Sequence, residues 1–164
     1  AGTKVQASPI RSFDITETIR LGDDKHWIIA APSMDARLTL EYRLDYGLGS
    51  VIEPCSFLTI LSPAVFAEQI AEARTFVTQY EATHIRSLGL AEHVTYQDLL
   101  VFGDKGPIEN ELRYANECAR HKLLDLVGDL ALSGLRITGR IIACRSGHAL
   151  NAKLAAAIVK QYQQ

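Results

Sequence analysis

Apolar and polar residues partly alternate from Ser12 to Leu21, with Phe13, Ile15 and Ile19 on odd positions, as in a half-buried strand. Gly22-Asp23-Asp24 signals a turn, and His26 to Ala31 predicts a second strand. The alternation is cleanest from Leu38 to Leu44, where Leu38, Leu40, Tyr42 and Leu44 face one way and Thr39, Glu41 and Arg43 the other. Tyr46-Gly47-Leu48-Gly49-Ser50 ends that strand, and a fourth is expected around Cys55 to Ile60. The first third of the chain therefore reads as an antiparallel meander.

Helical signals follow. Ser62-Pro63 opens a helix with proline at its first position, and Phe66, Ile70 and Ala73 lie on one face. Glu81 to Leu88 predicts a short helix closed by Gly89, Leu99 to Phe102 a short strand, and Gly103 to Glu111 a polar loop. Asn116 is expected to cap a long helix running to about Leu132 and stopped by Ser133-Gly134, with Leu123, Leu124, Val127 and Leu130 as its buried stripe. Ile137 to Cys144 predicts a strand, and a last helix begins at Gly147 or His148 and runs to about Gln161. The predicted fold is α+β: a mostly antiparallel sheet with two main helices packed on one face, plus a small α/β insert.

Size and charge narrow the function classes. A chain of 164 residues suits one domain and buries roughly 70% of its unfolded surface. A net charge of −2 with no basic run argues against a nucleic-acid surface. No apolar stretch approaches the ~18 residues of a membrane span, so no transmembrane segment is expected. Cys55, Cys118 and Cys144 form no CxxC and read as reduced, mostly buried thiols of a reducing compartment. Residues 1–10 read as a linker and residues 11–164 as one domain, so the chain is expected to be a piece of something longer.

The strongest chemical signal is Arg120-His121-Lys122-Leu123-Leu124-Asp125. On a helix, His121 and Asp125 project about 40° apart and roughly 6 Å along the axis, so an imidazole and a carboxylate can reach one Zn²⁺. The same spacing is also met in ordinary exposed pairs. Gly128 and Asp129 share that side. The glycine, costly in a helix, suggests that something packs close there, and Asp129 suits the orienting of a histidine elsewhere. Ser146-Gly147-His148-Ala149-Leu150-Asn151, between a strand and a helix, supplies a second histidine, which is a site residue or a cap. His26, His84 and His93 carry little weight.

These residues together resemble a family. Leu112-Arg113-Tyr114, Glu117, Arg120-His121-Lys122, Asp125, Gly128-Asp129-Leu130 and Ser146 to Asn151 match UDP-3-O-acyl-N-acetylglucosamine deacetylase, the enzyme that commits bacteria to lipid A synthesis, and Ala73-Arg74-Thr75-Phe76 and Leu44-Asp45-Tyr46 fit in order. The resemblance is to the second of two similar domains, a ribosomal-protein-like sandwich, and it implies a bacterial cytoplasmic hydrolase with an active site between domains. It implies that His121 and Asp125 are zinc ligands and that His148 is the catalytic histidine with Asp129 as its partner. Thr75 then helps stabilise an oxyanion. It further implies that Lys122 and Arg145 lie near the diphosphate of an acylated UDP-amino-sugar, that Tyr46 beside Asp45 stacks on uracil, and that Phe76 borders the substrate. The segment from about Val77 to Leu112 corresponds to an insert that builds an apolar acyl passage. The family's third ligand, a histidine, and its general-base glutamate belong to the first domain and have no counterpart here. The isolated chain is therefore expected to be inactive, with an apolar interface exposed. The competing expectation is a non-enzymatic α+β binding module without metal. A zinc hydrolase completed by a neighbouring chain is a third.

Overall fold

The computed structural model describes residues 10–164. The expected linker lies, apart from Ile10, outside the described residues. The main sheet is built from β1 (Arg11–Asp14), β2 (Ile19–Gly22), β3 (Trp27–Ala31), β4 (Leu38–Leu44), β5 (Cys55–Ile60) and β9 (Leu135–Cys144). Strand order is β2-β3-β9-β4-β5, with β1 running parallel to the first residues of β9. Between β5 and β9 come a first helical turn α1 (Pro63–Val65), then β6 (Phe76–Thr78), α2 (Gln79–Ser87), β7 (Leu100–Gly103) and β8 (Gly106–Pro107), and then α3 (Glu117–Ala131); α4 (His148–Tyr162) ends the chain.

The meander is corrected. β9 enters from the far end of the sequence and separates β3 from β4, antiparallel to the first (Ile29↔Ile142) and parallel to the second (Leu40↔Ile141). Alternation tells which side chains face inward but not which strand lies alongside. The central strand is instead marked by the run Ile141-Ile142-Ala143-Cys144, in which none of the residues is exposed. The expected strand from Ser12 to Leu21 is two strands, because the chain leaves the sheet at Ile15, which is buried in the core.

The two long helices cover one face, α3 over β4 and β5, and α4 over β2 and β3. Leu40, Tyr42, Ile141, Leu123, Leu126, Leu154 and Ile158 are wholly buried between them. On α3 the buried stripe is Ala119, Leu123, Leu126 and Leu130, at helical spacing. Leu124 and Val127, expected inside, are only half-buried. That rotation carries His121 to the border of the core.

The first helix is shorter than its pattern. Ser62 Oγ caps it by accepting from the Val65 N–H (3.1 Å), and the chain then widens into a π-type turn over Phe66–Ile70. Asn116 precedes α3 but makes no side-chain cap. Its Oδ1 accepts from Arg120 Nε (2.7 Å), and its Nδ2 donates to the Ser56 carbonyl (2.9 Å). The small sheet β6-β7-β8 packs with α2 as a separate layer, and β8 falls inside the expected polar loop. Thr78 and Glu81 close a capping box at the start of α2, a T-x-x-E signal present in the sequence.

Candidate active site

His121 sits on the second turn of α3, 9% exposed, at the border between the core stripe and solvent. Its Nδ1 lies 3.2 Å from the Ala73 carbonyl, which can only accept. The proton is therefore on Nδ1, and Nε2 is left as an acceptor, a role the Thr75 hydroxyl can fill by donating to it. Nε2 faces Asp125 Oδ1 at 3.5 Å and Thr75 Oγ1 at 3.2 Å. Burial holds the His121 imidazole below the ordinary histidine range, against the opposing pull of Asp125. A neutral imidazole with an unprotonated nitrogen is the form that binds a metal.

The second carboxylate oxygen of Asp125 accepts from Lys122 Nζ at 2.9 Å, which leaves Oδ1 turned toward the histidine. Two ligand atoms held by tetrahedral bonds of about 2.0–2.2 Å stand roughly 3.4 Å apart. The 3.5 Å spacing of His121 Nε2 and Asp125 Oδ1 is thus compatible with two ligands of one zinc ion. Among the described residues no cluster of three or more His, Cys, Asp or Glu side chains is arranged to hold a metal. The His121–Asp125 pair is fewer than the three protein ligands that a catalytic zinc usually takes. Phe76 packs edge-on to the His121 ring, with centroids 6.0 Å apart, and Lys122 Nζ lies 5.7 Å from the same phenyl ring.

One turn further along α3, Asp129 is 15% exposed at its side chain and receives His148 Nδ1 at 3.0 Å. His148 opens α4 and is 71% exposed, so its Nε2 edge faces solvent. Asn151, wholly buried on the next turn of α4, donates from Nδ2 to the same carboxylate at 2.9 Å. The sequence contained Asn151 within the quoted motif, and its spacing of three from His148 placed both on one helix face, but nothing in the pattern marked it as the fixing group for Asp129.

The β9–α4 junction is shaped to present these groups. Arg145 has a left-handed backbone (φ 50°), a strained conformation for a non-glycine residue that turns the chain out of the sheet. Tyr42, on the adjacent strand, donates to the Ser146 carbonyl at 2.5 Å and pins the turn. The Arg145 guanidinium lies 5.0 Å from the centroid of the Tyr46 ring, so these two residues sit together at the ends of the parallel strands β4 and β9. Asp45 accepts from the Gly47 N–H at 2.8 Å and shapes the turn around Tyr46.

The structure thus brings His121, Asp125, Thr75, Lys122 and Phe76 into direct contact, joins Asp129 to His148, and joins Arg145 to Tyr46. The two histidines stand on helices that pack against each other, α3 and α4. Gly128 is exposed, and a Cβ there would meet nothing within 4 Å, so none of the described residues packs close against it. Sequence reasoning also missed Glu117, wholly buried and ion-paired with Arg74 at 2.9 Å. The available signal was its position four residues before His121, which extends the His121–Asp125 spacing backwards along the helix.

Comparison of the sequence with known proteins matches it to a family. The sequence model described as UDP-3-O-acyl N-acetylglycosamine deacetylase matches residues 1–160. A protein of Leptospira biflexa serovar Patoc named UDP-3-O-acyl-N-acetylglucosamine deacetylase is 35% identical over 98% of this chain and 52% of its own length. Proteins of the same name from Thermosynechococcus vestitus (34% identical, 98% of this chain, 54% of theirs) and Helicobacter hepaticus (32%, 92% and 50%) are similarly related. The chain spans about half the length of these curated relatives. A match over nearly the whole chain shows that it belongs to the UDP-3-O-acyl N-acetylglycosamine deacetylase family.

Proposed function

We propose that this chain supplies half of a zinc site and the proton-handling pair of an amide hydrolase that removes the N-acetyl group of UDP-3-O-acyl-N-acetylglucosamine, and that a partner domain completes the site. The observation that carries this reading is the unprotonated His121 Nε2 facing Asp125 Oδ1 at 3.5 Å, with the opposite ring nitrogen tied to a backbone carbonyl. That is the usual arrangement of a metal-ligating histidine, whose other N–H is fixed by an outer partner.

A bound zinc ion supplies Lewis acidity to a carbonyl oxygen in reach. Water attacks the acetamide carbonyl while a base of the partner domain takes its proton, and cleavage of the C–N bond releases the amine; this chain's residues supply the following parts. His121 and Asp125 hold the ion. Thr75 Oγ, exposed and 3.2 Å from His121 Nε2, donates to the developing oxyanion. His148 is held at Nδ1 by Asp129 and carries a proton on its solvent-facing Nε2 for the departing amine, and the carboxylate stabilises the imidazolium form. Products are acetate and a free 2-amino sugar nucleotide. Lys122 and Arg145 are cations available to the diphosphate, and Tyr46 is an aromatic surface beside Arg145 suited to a base. The acyl chain lies along the insert. The space enclosed there, bordered by Val77, Ala82, Ile85, Val94 and Val101, is only about 60 Å³, so admitting a chain requires α2 to part from β6 and β7.

Metal binding tests the reading. Zinc titrations of this chain and of His121→Ala, alone and with the amino-terminal half of a relative supplied, should show binding that strengthens with the added half and is lost in the variant. Deacetylation restored by mixing the halves supports the substrate assignment. Ordinary deacetylase rates from this chain alone would overturn the half-site, and equal zinc binding by His121→Ala would remove the metal from α3.

A further inference from the structure

One turn before His121, Glu117 is 0% exposed in the first turn of α3, and the Arg74 side chain beside it is 9% exposed. Glu117 Oε1 accepts from the Arg74 backbone N–H (3.1 Å) and Nε (2.9 Å). Oε2 accepts from Arg74 Nη2 (3.1 Å) and from the Arg113 backbone N–H (2.6 Å). The rest of the guanidinium is used as well, Nη1 by Asn110 Oδ1 (2.8 Å) and Nη2 by the Glu111 carbonyl (2.7 Å). This is a forked contact of the kind a planar guanidinium makes and an ammonium cannot.

A buried ion pair is a weak stabiliser, because desolvation offsets most of its attraction, and apolar side chains of similar volume hold elements together as well or better. An apolar pair cannot, however, fix how one segment slides along another. The segment at stake is Ala73-Arg74-Thr75, which runs beside α3. Arg74 donates its own backbone N–H to Glu117, and its two neighbours make the contacts to His121: the Ala73 carbonyl to Nδ1 and Thr75 Oγ1 to Nε2, each at 3.2 Å. Any slide along the helix breaks both. Other tethers hold the flanking chain, from the Leu100 N–H to the Thr75 carbonyl (2.8 Å), from Arg120 Nη1 on α3 to the Gln69 carbonyl (2.7 Å) and from Arg113 Nη1 to the Glu72 carbonyl (2.5 Å), and Glu117 is the α3 residue that holds Arg74 itself, between the two contacts to His121.

We infer that the buried Arg74–Glu117 pair is a positioning device for His121, holding the Ala73 carbonyl on Nδ1 and the Thr75 hydroxyl beside Nε2, so that the tautomer with its lone pair toward Asp125 is selected. Arg74 and Glu117 touch no reacting atom and act through the histidine. The inference deepens the proposed function, in which Nε2 holds the metal, but the claim about the tautomer stands without any metal.

Two variants of the full chain test it. Arg74→Met/Glu117→Leu replaces the pair by apolar side chains of similar length, and Arg74→Lys keeps the charge without the fork. Nitrogen-15 NMR of the histidine rings at neutral pH, metal-free, should show His121 protonated on Nδ1 and bare on Nε2 in the wild type. Folded variants should show a mixture of both tautomers. Their affinity for Co²⁺, used as the probe ion, should fall roughly ten- to hundredfold, the usual effect of removing a partner behind a metal ligand. A merely structural pair would leave the ring nitrogens unchanged, and that result in either folded variant overturns the inference whatever cobalt does. Loss of the single tautomer together with no Co²⁺ binding by any form, wild type included, upholds the positioning device and removes the metal reading instead. Where the double variant does not fold, Arg74→Lys decides.

Discussion

Glu117→Gln is the perturbation with the largest consequence for stability that the structure defines. The carboxylate is 0% exposed and takes hydrogen bonds from the Arg74 backbone N–H, Nε and Nη2 and from the Arg113 N–H. A glutamine keeps the shape but turns an NH₂ group toward donors and leaves the buried Arg74 charge without an anionic partner, with only Asn110 Oδ1 and the Glu111 carbonyl beside it. Breaking a buried pair from one side costs about 3–5 kcal/mol, a large share of the roughly 5–15 kcal/mol that holds a domain folded. For a chain of this size it should lower Tm by roughly 6–20 °C. Urea unfolding at neutral pH, followed by circular dichroism, measures the loss, with the slope m expected unchanged. The acid limb is a second check. Burial alone would raise the Glu117 carboxyl, but the Arg74 guanidinium and the Arg74 and Arg113 N–H groups outweigh it and hold the group below the ordinary glutamate range. A depressed carboxyl contributes stability above its unfolded value of about 4.3 and loses it as pH falls through the folded value. The gap between wild type and Glu117→Gln should therefore be widest near neutrality and close in acid. A loss below ~1 kcal/mol at pH 7, or a gap that is flat with pH, refutes the account of Glu117 as a buried, paired anion.

Gly128→Ala should stabilise this chain by about 0.5–1 kcal/mol, since the residue is exposed in the interior of α3 and a Cβ meets nothing within 4 Å; urea midpoints report the gain. If that gain reverses to a loss when the amino-terminal half of a relative is bound, the glycine is a contact point for that half. Gly139→Ala should destabilise by roughly 1–3 kcal/mol or more in thermal melts, because its φ of +133° is closed to side chains and the new Cβ would lie 2.9 Å from the Ala31 carbonyl oxygen. On the proposed function, Asp129→Ala in the completed enzyme should lower kcat by roughly 10²- to 10⁴-fold with KM little changed, as loss of an oriented proton donor does; a change confined to KM would make Asp129 a binding residue instead.

Much of this was legible because it is local. The four-residue spacing of His121 and Asp125 placed their side chains one turn apart before any tertiary contact was known, and the turn at Gly147 marked where α4 would begin. The inward face of β4 was readable from strict alternation. What failed was information carried by distant residues. The neighbour of β4 is β9, about a hundred positions along the chain, and no local pattern names it. Asn116 has the composition of a helix cap, yet its amide is engaged by Arg120 and by the Ser56 carbonyl. Glu117 looked like an ordinary acidic residue in a first turn, where such residues favour the helix dipole, until Arg74 and Arg113 were found closing over it.

Glu117 also changes how the functional face of α3 is understood. Glu117, His121, Asp125 and Asp129 recur every fourth residue, and each step of four turns the side chain about 40° further around the axis. The row therefore winds outward from the core, and side-chain exposure rises from 0% at Glu117 to 11% at His121, 13% at Asp125 and 15% at Asp129. Glu117 and His121 are both tied to the Ala73-Arg74-Thr75 segment, Glu117 also to Arg113, whereas Asp125 is tied to Lys122 on α3 itself and Asp129 to His148 and Asn151 of α4. The deepest position suits a charge that is never exchanged, the middle two suit ligands that must be dry but reachable, and the outermost suits a carboxylate paired with a histidine that meets solvent. A heptad-like spacing would have kept all four groups in one straight seam at nearly equal depth. On the proposed function, the slow drift of a four-residue repeat would let one helix carry an anchor, a ligand pair and a proton-handling carboxylate at graded depth.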